Sequence, residues 1–121
     1  MSMAAMKEAS MNDSILDTIK QLLGIQSDYT AFDTDIIVHI NSVFMTLNQL
    51  GVGPANCFSI SGVGNKWSEF IGDSVDLDSA KTYIYLKVRT IFDPPSSSVV
   101  MEAMNRNISE LEWRLNVQVE K

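Results

Sequence analysis

The sequence predicts an all-α fold: a small four-helix bundle with a long glycine-rich loop between its second and third helices. Apolar residues recur at three-and-four spacing in four separate stretches, the period of a helix that buries one face. Capping and stopping residues bound these stretches, where strands would instead show strict alternation. Four of the six glycines fall together in residues 51–66, GVGPANCFSISGVGNK, which breaks the helical pattern once and at length. The 121 residues fit one domain, with no internal repeat.

Helix one is predicted from Ser14 to Leu23. Asn12 or Asp13 can cap its first amides, and Asp17 suits its positive end. Ile15, Leu16, Ile19, Leu22 and Leu23 share a stripe, and Gly24 supplies a left-handed stop. A polar connection, Gln26 to Thr34, carries Tyr29 and Phe32. Helix two, from about Thr34 to Leu50, has the clearest periodicity: Ile36, Ile37, Ile40, Val43, Phe44, Leu47 and Leu50. Asp33 and Asp35 stand at its start, Gly51 ends it, and Asp35, His39, Ser42 and Thr46 line its hydrated side.

Within the loop, Phe58-Ser59-Ile60 allows a short strand turning at Ser61-Gly62, the seed of a β-hairpin. Trp67, Phe70 and Ile71 read as one apolar helical turn that docks on the core, ended by Gly72. Helix three follows from Leu77 or Asp78 to Phe92, capped by Asp76 or Asp78 and closed by Asp93-Pro94-Pro95. Its apolar positions are Ala80, Tyr83, Ile84, Val88, Ile91 and Phe92. Helix four starts after Ser96-Ser97-Ser98 and runs to about Leu115, with Val100, Met104, Ile108, Leu111 and Leu115 inward. The alternation in Asn116-Val117-Gln118-Val119-Glu120 reads as an extended C-terminal arm over 116–121. Residues 1–10, rich in Met and Ala, read as a disordered leader ahead of a single domain over 11–121.

Composition narrows the function classes. A hydrophobic share of 45% argues against a disordered chain. The run Ile36-Ile37-Val38 falls far short of the ~20 apolar residues that a membrane span needs. Nine Lys and Arg against fifteen Asp and Glu leave a net charge of −6, unsuited to nonspecific adhesion to nucleic acid. Cys57 stands alone, which fits a reducing compartment, and no charged segment followed by an apolar one opens the chain to support secretion.

Catalytic and ligand-binding patterns are weak. The single histidine, His39, falls on the polar side of helix two and reads as a solvated imidazole rather than an acid–base group. Cys57 lacks a local partner for nucleophilic chemistry. Asp73, Asp76 and Asp78 lack the glycine and terminal Glu of a calcium loop, so they read as a helix cap and no metal is expected. Gly62-Val63-Gly64-Asn65-Lys66 lacks the spacing of a phosphate loop, so no cofactor is expected.

Helix four is more informative. Glu102, Arg106, Glu110 and Arg114 stand four residues apart and form one stripe of alternating sign. Such a stripe either stabilises a solvated helix or sets register against a neighbouring subunit. Trp113 lies roughly 90° or more from Leu111 and off the apolar seam, where a bundle edge or an intersubunit anchor would place it. These residues, with Val117 and Val119 of the arm and Phe58 and Ile60 of the loop, form the candidate subunit and partner interface.

Several segments, in this order, resemble the phage head–tail connector, or head-completion, family of tailed bacteriophages and prophages. They are Asp33-x-Asp35-Ile36-Ile37, Leu50-Gly51-Val52-Gly53-Pro54 and Trp67-x-x-Phe70-Ile71, then Tyr83-x-Tyr85-Leu86-Lys87-x-Arg89, Phe92-Asp93-Pro94-Pro95 and Glu110-Leu111-Glu112-Trp113-Arg114-Leu115. The likeness spans Met11 to Leu115. It implies a non-enzymatic subunit that joins a ring of about a dozen copies under the portal protein. Such a ring extends the DNA channel and seats a head-closure or neck protein at the virion head–tail junction. It also implies subunits that stay in the host bacterial cytoplasm, often as monomers, until the portal templates them. An acidic lining suits DNA that must slide without specific binding. The competing reading is a small prophage-encoded helical DNA-binding regulator, for which helix three with Lys81, Lys87 and Arg89 is the candidate recognition helix.

Overall fold

The computed structural model describes residues 12–70 and 76–119, and among them the chain is all-α. Helix α1 spans Ile15–Leu23, α2 Asp33–Gln49, α3 Trp67–Phe70, α4 Leu77–Phe92 and α5 Ser98–Val119. The leader expected at residues 1–10 and the acidic residue Asp73 lie outside the described residues.

Helix α1 starts one residue later than a cap at Asn12 or Asp13 would place it. The Asp13 carbonyl accepts from the Trp67 N–H at 3.3 Å, and the Ile15 N–H donates to the Asn65 carbonyl at 3.0 Å. That antiparallel bridge between Ser14 and Lys66 holds Ser14 extended and occupies the Asp13 backbone. Ser14 therefore caps the helix, its Oγ accepting from the Asp17 N–H at 3.2 Å. Ile15, Leu16 and Ile19 are buried as expected, and Gly24 closes the helix at φ 84°.

Helix α2 buries Ile36, Ile40, Val43, Phe44 and Leu47 against α4. Its first turn has no side-chain cap at Phe32, and Asp33 turns instead to a buried lysine of α1. Helix α4 is the central element, packed on α1, α2 and α5. Asp76 caps it, accepting from the Asp78 N–H at 3.3 Å and from Ser79 Oγ at 2.8 Å. Ile91 at its end is 55% exposed, and Val100 at the start of α5 is 45% exposed. Both were expected inside, but they sit at helix ends where the stripe outruns its partners.

No strand forms at Phe58-Ser59-Ile60 among the described residues, so the hairpin expectation is corrected. The Asn41 amide supplies what a partner strand would. Its Oδ1 accepts from the Ile60 N–H at 2.7 Å, and its Nδ2 donates to the Ile60 carbonyl at 3.0 Å. Asn48, one heptad further along α2, donates to the Pro54 carbonyl at 3.1 Å. Thus two asparagines on one side of α2 pin the loop, and the Phe58 ring lies against Phe44 and Phe70. Gly53, at φ 91°, lets Phe70 approach: a Cβ there would lie 2.5 Å from Phe70 Cε1.

The extended C-terminal arm is also corrected. Helix α5 continues through Val119, so residues 116–119 are helical. Tertiary bonds explain the extra turn. Asn116 Nδ2 donates to the Leu50 carbonyl at 3.2 Å, and Gln118 Oε1 accepts from the Asp76 N–H at 3.0 Å. Val119 packs on Gly51, within 3.0 Å of where a Cβ would stand. Period-two alternation over so few residues cannot outweigh these anchors.

Candidate assembly surface

Helix α5 buries Met104, Ile108 and Leu115 towards α4, which leaves the opposite side of the helix to solvent. At 100° per residue that outward side collects Val99, Ala103, Arg106, Glu110, Trp113 and Val117, flanked by Glu102 and Arg114. Val99 is 72% exposed and Trp113 67%. Arg114 donates to Glu110 at 2.6 Å, with both side chains more than half exposed. Among the described residues Arg106 and Glu102 have no ion-pair partner.

The structure thus brings Glu102, Arg106, Glu110, Trp113 and Arg114 onto one face, with half-buried Val117 at its end. It does not bring the remaining candidates there. Ile60 is 4% exposed, Phe58 lies within the aromatic core, and Val119 packs inward. All three are occupied in holding the loop and the helix end.

Two internal polar contacts were not visible in the sequence. Lys20 is fully buried, its Nζ 2.8 Å from Asp33 Oδ1 and 3.0 Å from the Ser27 carbonyl. Its position beside Leu16, Ile19 and Leu23 on the apolar stripe was the available signal. Tyr83, also fully buried, donates its hydroxyl to Glu112 at 2.7 Å, tying α4 to α5. Burial, then the bond to the Glu112 carboxylate, pushes its phenol well above the ordinary tyrosine range. The folded phenol keeps its proton where the unfolded one, near pH 10.0, has lost it. This contribution to stability is complete below about pH 10 and is lost as pH rises beyond it, by about 1.4 kcal/mol per pH unit. Urea unfolding between about pH 9 and 11 should therefore fall less steeply in Tyr83→Phe than in the wild type. Equal slopes would contradict the assignment.

A second cluster joins Tyr29, Phe32, Phe92 and His39 at one end of the bundle. Ring centroids lie 5.7 Å apart for Tyr29–Phe32, 5.4 Å for Phe32–Phe92 and 6.5 Å for His39–Phe92. His39 is half-buried against Phe92, which corrects the expectation of a solvated imidazole.

Two of the three cations of α4 are engaged in the fold. Lys81 Nζ sits 5.6 Å over the Trp67 ring, and Arg89 donates to the Tyr85 hydroxyl at 3.0 Å. A recognition helix needs its cations free for phosphates, and α4 is packed on three sides. Cys57 is exposed, in a left-handed conformation at φ 62°. Among the described residues, one surface cleft is lined by Asp17, Gln21, Gly24, Ile25, Gln26 and Ser27. Another is lined by Leu22, Leu23, Gly24, Tyr85, Arg89 and Asp93, and neither takes in His39 or Cys57. Among the described residues no three His, Cys, Asp or Glu side chains cluster as metal ligands would. No described helix is long and apolar enough to cross a membrane.

No curated protein and no solved structure matches the chain. The phage connector protein family matches residues 15–121, a span that takes in every helix described above. With a match over nearly its whole length, the chain belongs to the phage connector protein family, a family of phage head–tail connectors.

Proposed function

We propose that this chain is a non-enzymatic head–tail connector subunit that assembles as a ring beneath the portal protein. In this reading the ring extends the channel through which DNA passes and offers a platform for the head-closure or neck protein. Its place is the virion head–tail junction, reached from the host cytoplasm once a portal is present. A closed ring of about a dozen copies needs a face on each subunit that meets a different face on its neighbour. The observation that carries the reading is the outward side of α5, where Trp113 and Val99 stand exposed among charges of alternating sign. A net charge of −6 also favours a conduit that does not hold phosphates.

The regulator reading is weaker, because Lys81 and Arg89 are engaged on a helix enclosed by its neighbours.

The test is a paired charge reversal, Arg106→Glu with Arg114→Glu. Both side chains are exposed, so chemical denaturation of the free protein should change by only about 0.5 kcal/mol. Incorporation into portal-bearing heads should be lost. Equal loss of folding and incorporation would instead make the stripe a solvated, self-stabilising helix face.

A further inference from the structure

The outward face of α5 is complementary to itself. Outward from Ile108, Arg106 and Glu110 stand at equal sequence distance on either side. So do Ala103 and Trp113, Glu102 and Arg114, and Val99 and Val117. Six of these residues, Val99, Ala103, Arg106, Glu110, Trp113 and Val117, follow alternating four-and-three spacing, which keeps a seam aligned between two helices.

Two copies laid antiparallel, with their Ile108 levels matched, place opposite charges together at the centre of the seam. Arg106 of each copy meets Glu110 of the other. Trp113 covers Ala103, a residue small enough to leave room for the indole, and Val99 meets Val117. The matched stretch is about 27 Å long at 1.5 Å per residue. A parallel pairing would instead set each seam residue against itself, giving like-charge contacts at Arg106 and Glu110. Arg106, without an ion-pair partner among the described residues, gains one only in the antiparallel arrangement.

We infer that the free chain forms a two-fold dimer with a second copy of itself through the outward face of α5, in antiparallel register about Ile108. This goes beyond the ring reading, because a two-fold contact closes on itself and leaves nothing to propagate. The pairing covers the exposed Trp113 and Val99 before assembly, and a ring contact on the same face must displace it.

Sedimentation equilibrium of the isolated full-length chain, without portal, tests the inference. The wild type should reach a dimer as concentration rises and go no further. Arg106→Glu and Glu110→Arg should each weaken association by about tenfold or more at low salt, since each sets like charges in contact twice. Their circular dichroism should match the wild type. An equimolar mixture of the two variants should form heterodimers, and the double variant should regain the wild-type affinity. In a Cys57→Ser background, Val99→Cys with Val117→Cys should give intermolecular 99–117 crosslinks.

A monomer at all concentrations, reversals that associate like the wild type, or 99–99 crosslinks would each overturn the dimer. Because no portal enters these measurements, the dimer stands or falls separately from the ring.

Discussion

Asp33→Ala is expected to lower the stability of the fold by about 3–5 kcal/mol, a large share of the 5–15 kcal/mol typical of a domain. Lys20 is fully buried, and its ammonium has two partners, Asp33 Oδ1 at 2.8 Å and the Ser27 carbonyl at 3.0 Å. Removing the carboxylate leaves a buried positive charge with one carbonyl to hold it. Asp33 is 20% exposed, so water can replace part of what is lost, and the lower end of that range is favoured. Lys20→Met should be far milder, because it removes the charge and keeps an unbranched stem of similar volume. Adding Lys20→Met to Asp33→Ala should recover most of the loss. Urea unfolding of the four proteins completes this cycle. If Asp33→Ala costs less than about 1 kcal/mol, the pair does not hold the α1–α2 connection as described.

Trp67→Ala should be comparably damaging, at about 3–5 kcal/mol. The indole is fully buried, and its N–H donates to Thr18 Oγ1 at 3.1 Å. The ring also lies under Lys81, so this one side chain joins α1, α3 and α4. Its loss leaves a large cavity and releases the 51–66 loop from the start of α1. A thermal midpoint lower by roughly 10–20 °C is expected from the usual entropy of unfolding for a chain of this size. Fluorescence gives a second readout. Trp113 is 67% exposed in the single chain, so in dilute protein, below the concentration at which copies pair, the emission remaining in the variant should already resemble that of a tryptophan in water. An unchanged midpoint would mean that the single turn of α3 is not part of the core.

The elements set by local pattern were legible in the sequence, and those set by distant partners were not. The buried series Ile36, Ile40, Val43, Phe44 and Leu47 follows directly from the period of helix two. The charged stripe of α5 was legible for the same reason, since four-residue spacing alone puts Glu102, Arg106, Glu110 and Arg114 on one side. Ser14 displaced Asp13 as the cap because Asp13 pairs with the Trp67 backbone, a contact no local window contains. Ile60 looked like a strand residue until Asn41 took both of its backbone groups. Residues 116–119 looked extended because their anchors, Leu50, Gly51 and Asp76, are remote in sequence. The burial of Lys20 was not legible because its partner, Asp33, lies on another helix.

That division also explains the candidate interface. The members on α5 came from helical register and stayed together. Phe58, Ile60 and Val119 were included because loops and tails often serve as contacts, and the fold uses all three internally.

The account rests on the chain acting through assembly against other phage parts, with no chemistry of its own. Electron microscopy of DNA-filled heads made with and without this protein tests that directly. With it, a ring of density should lie against the portal and carry the next neck component. Without it, the portal should be bare and heads should fail to join tails. Heads that keep the same neck density and join tails in its absence would contradict the account.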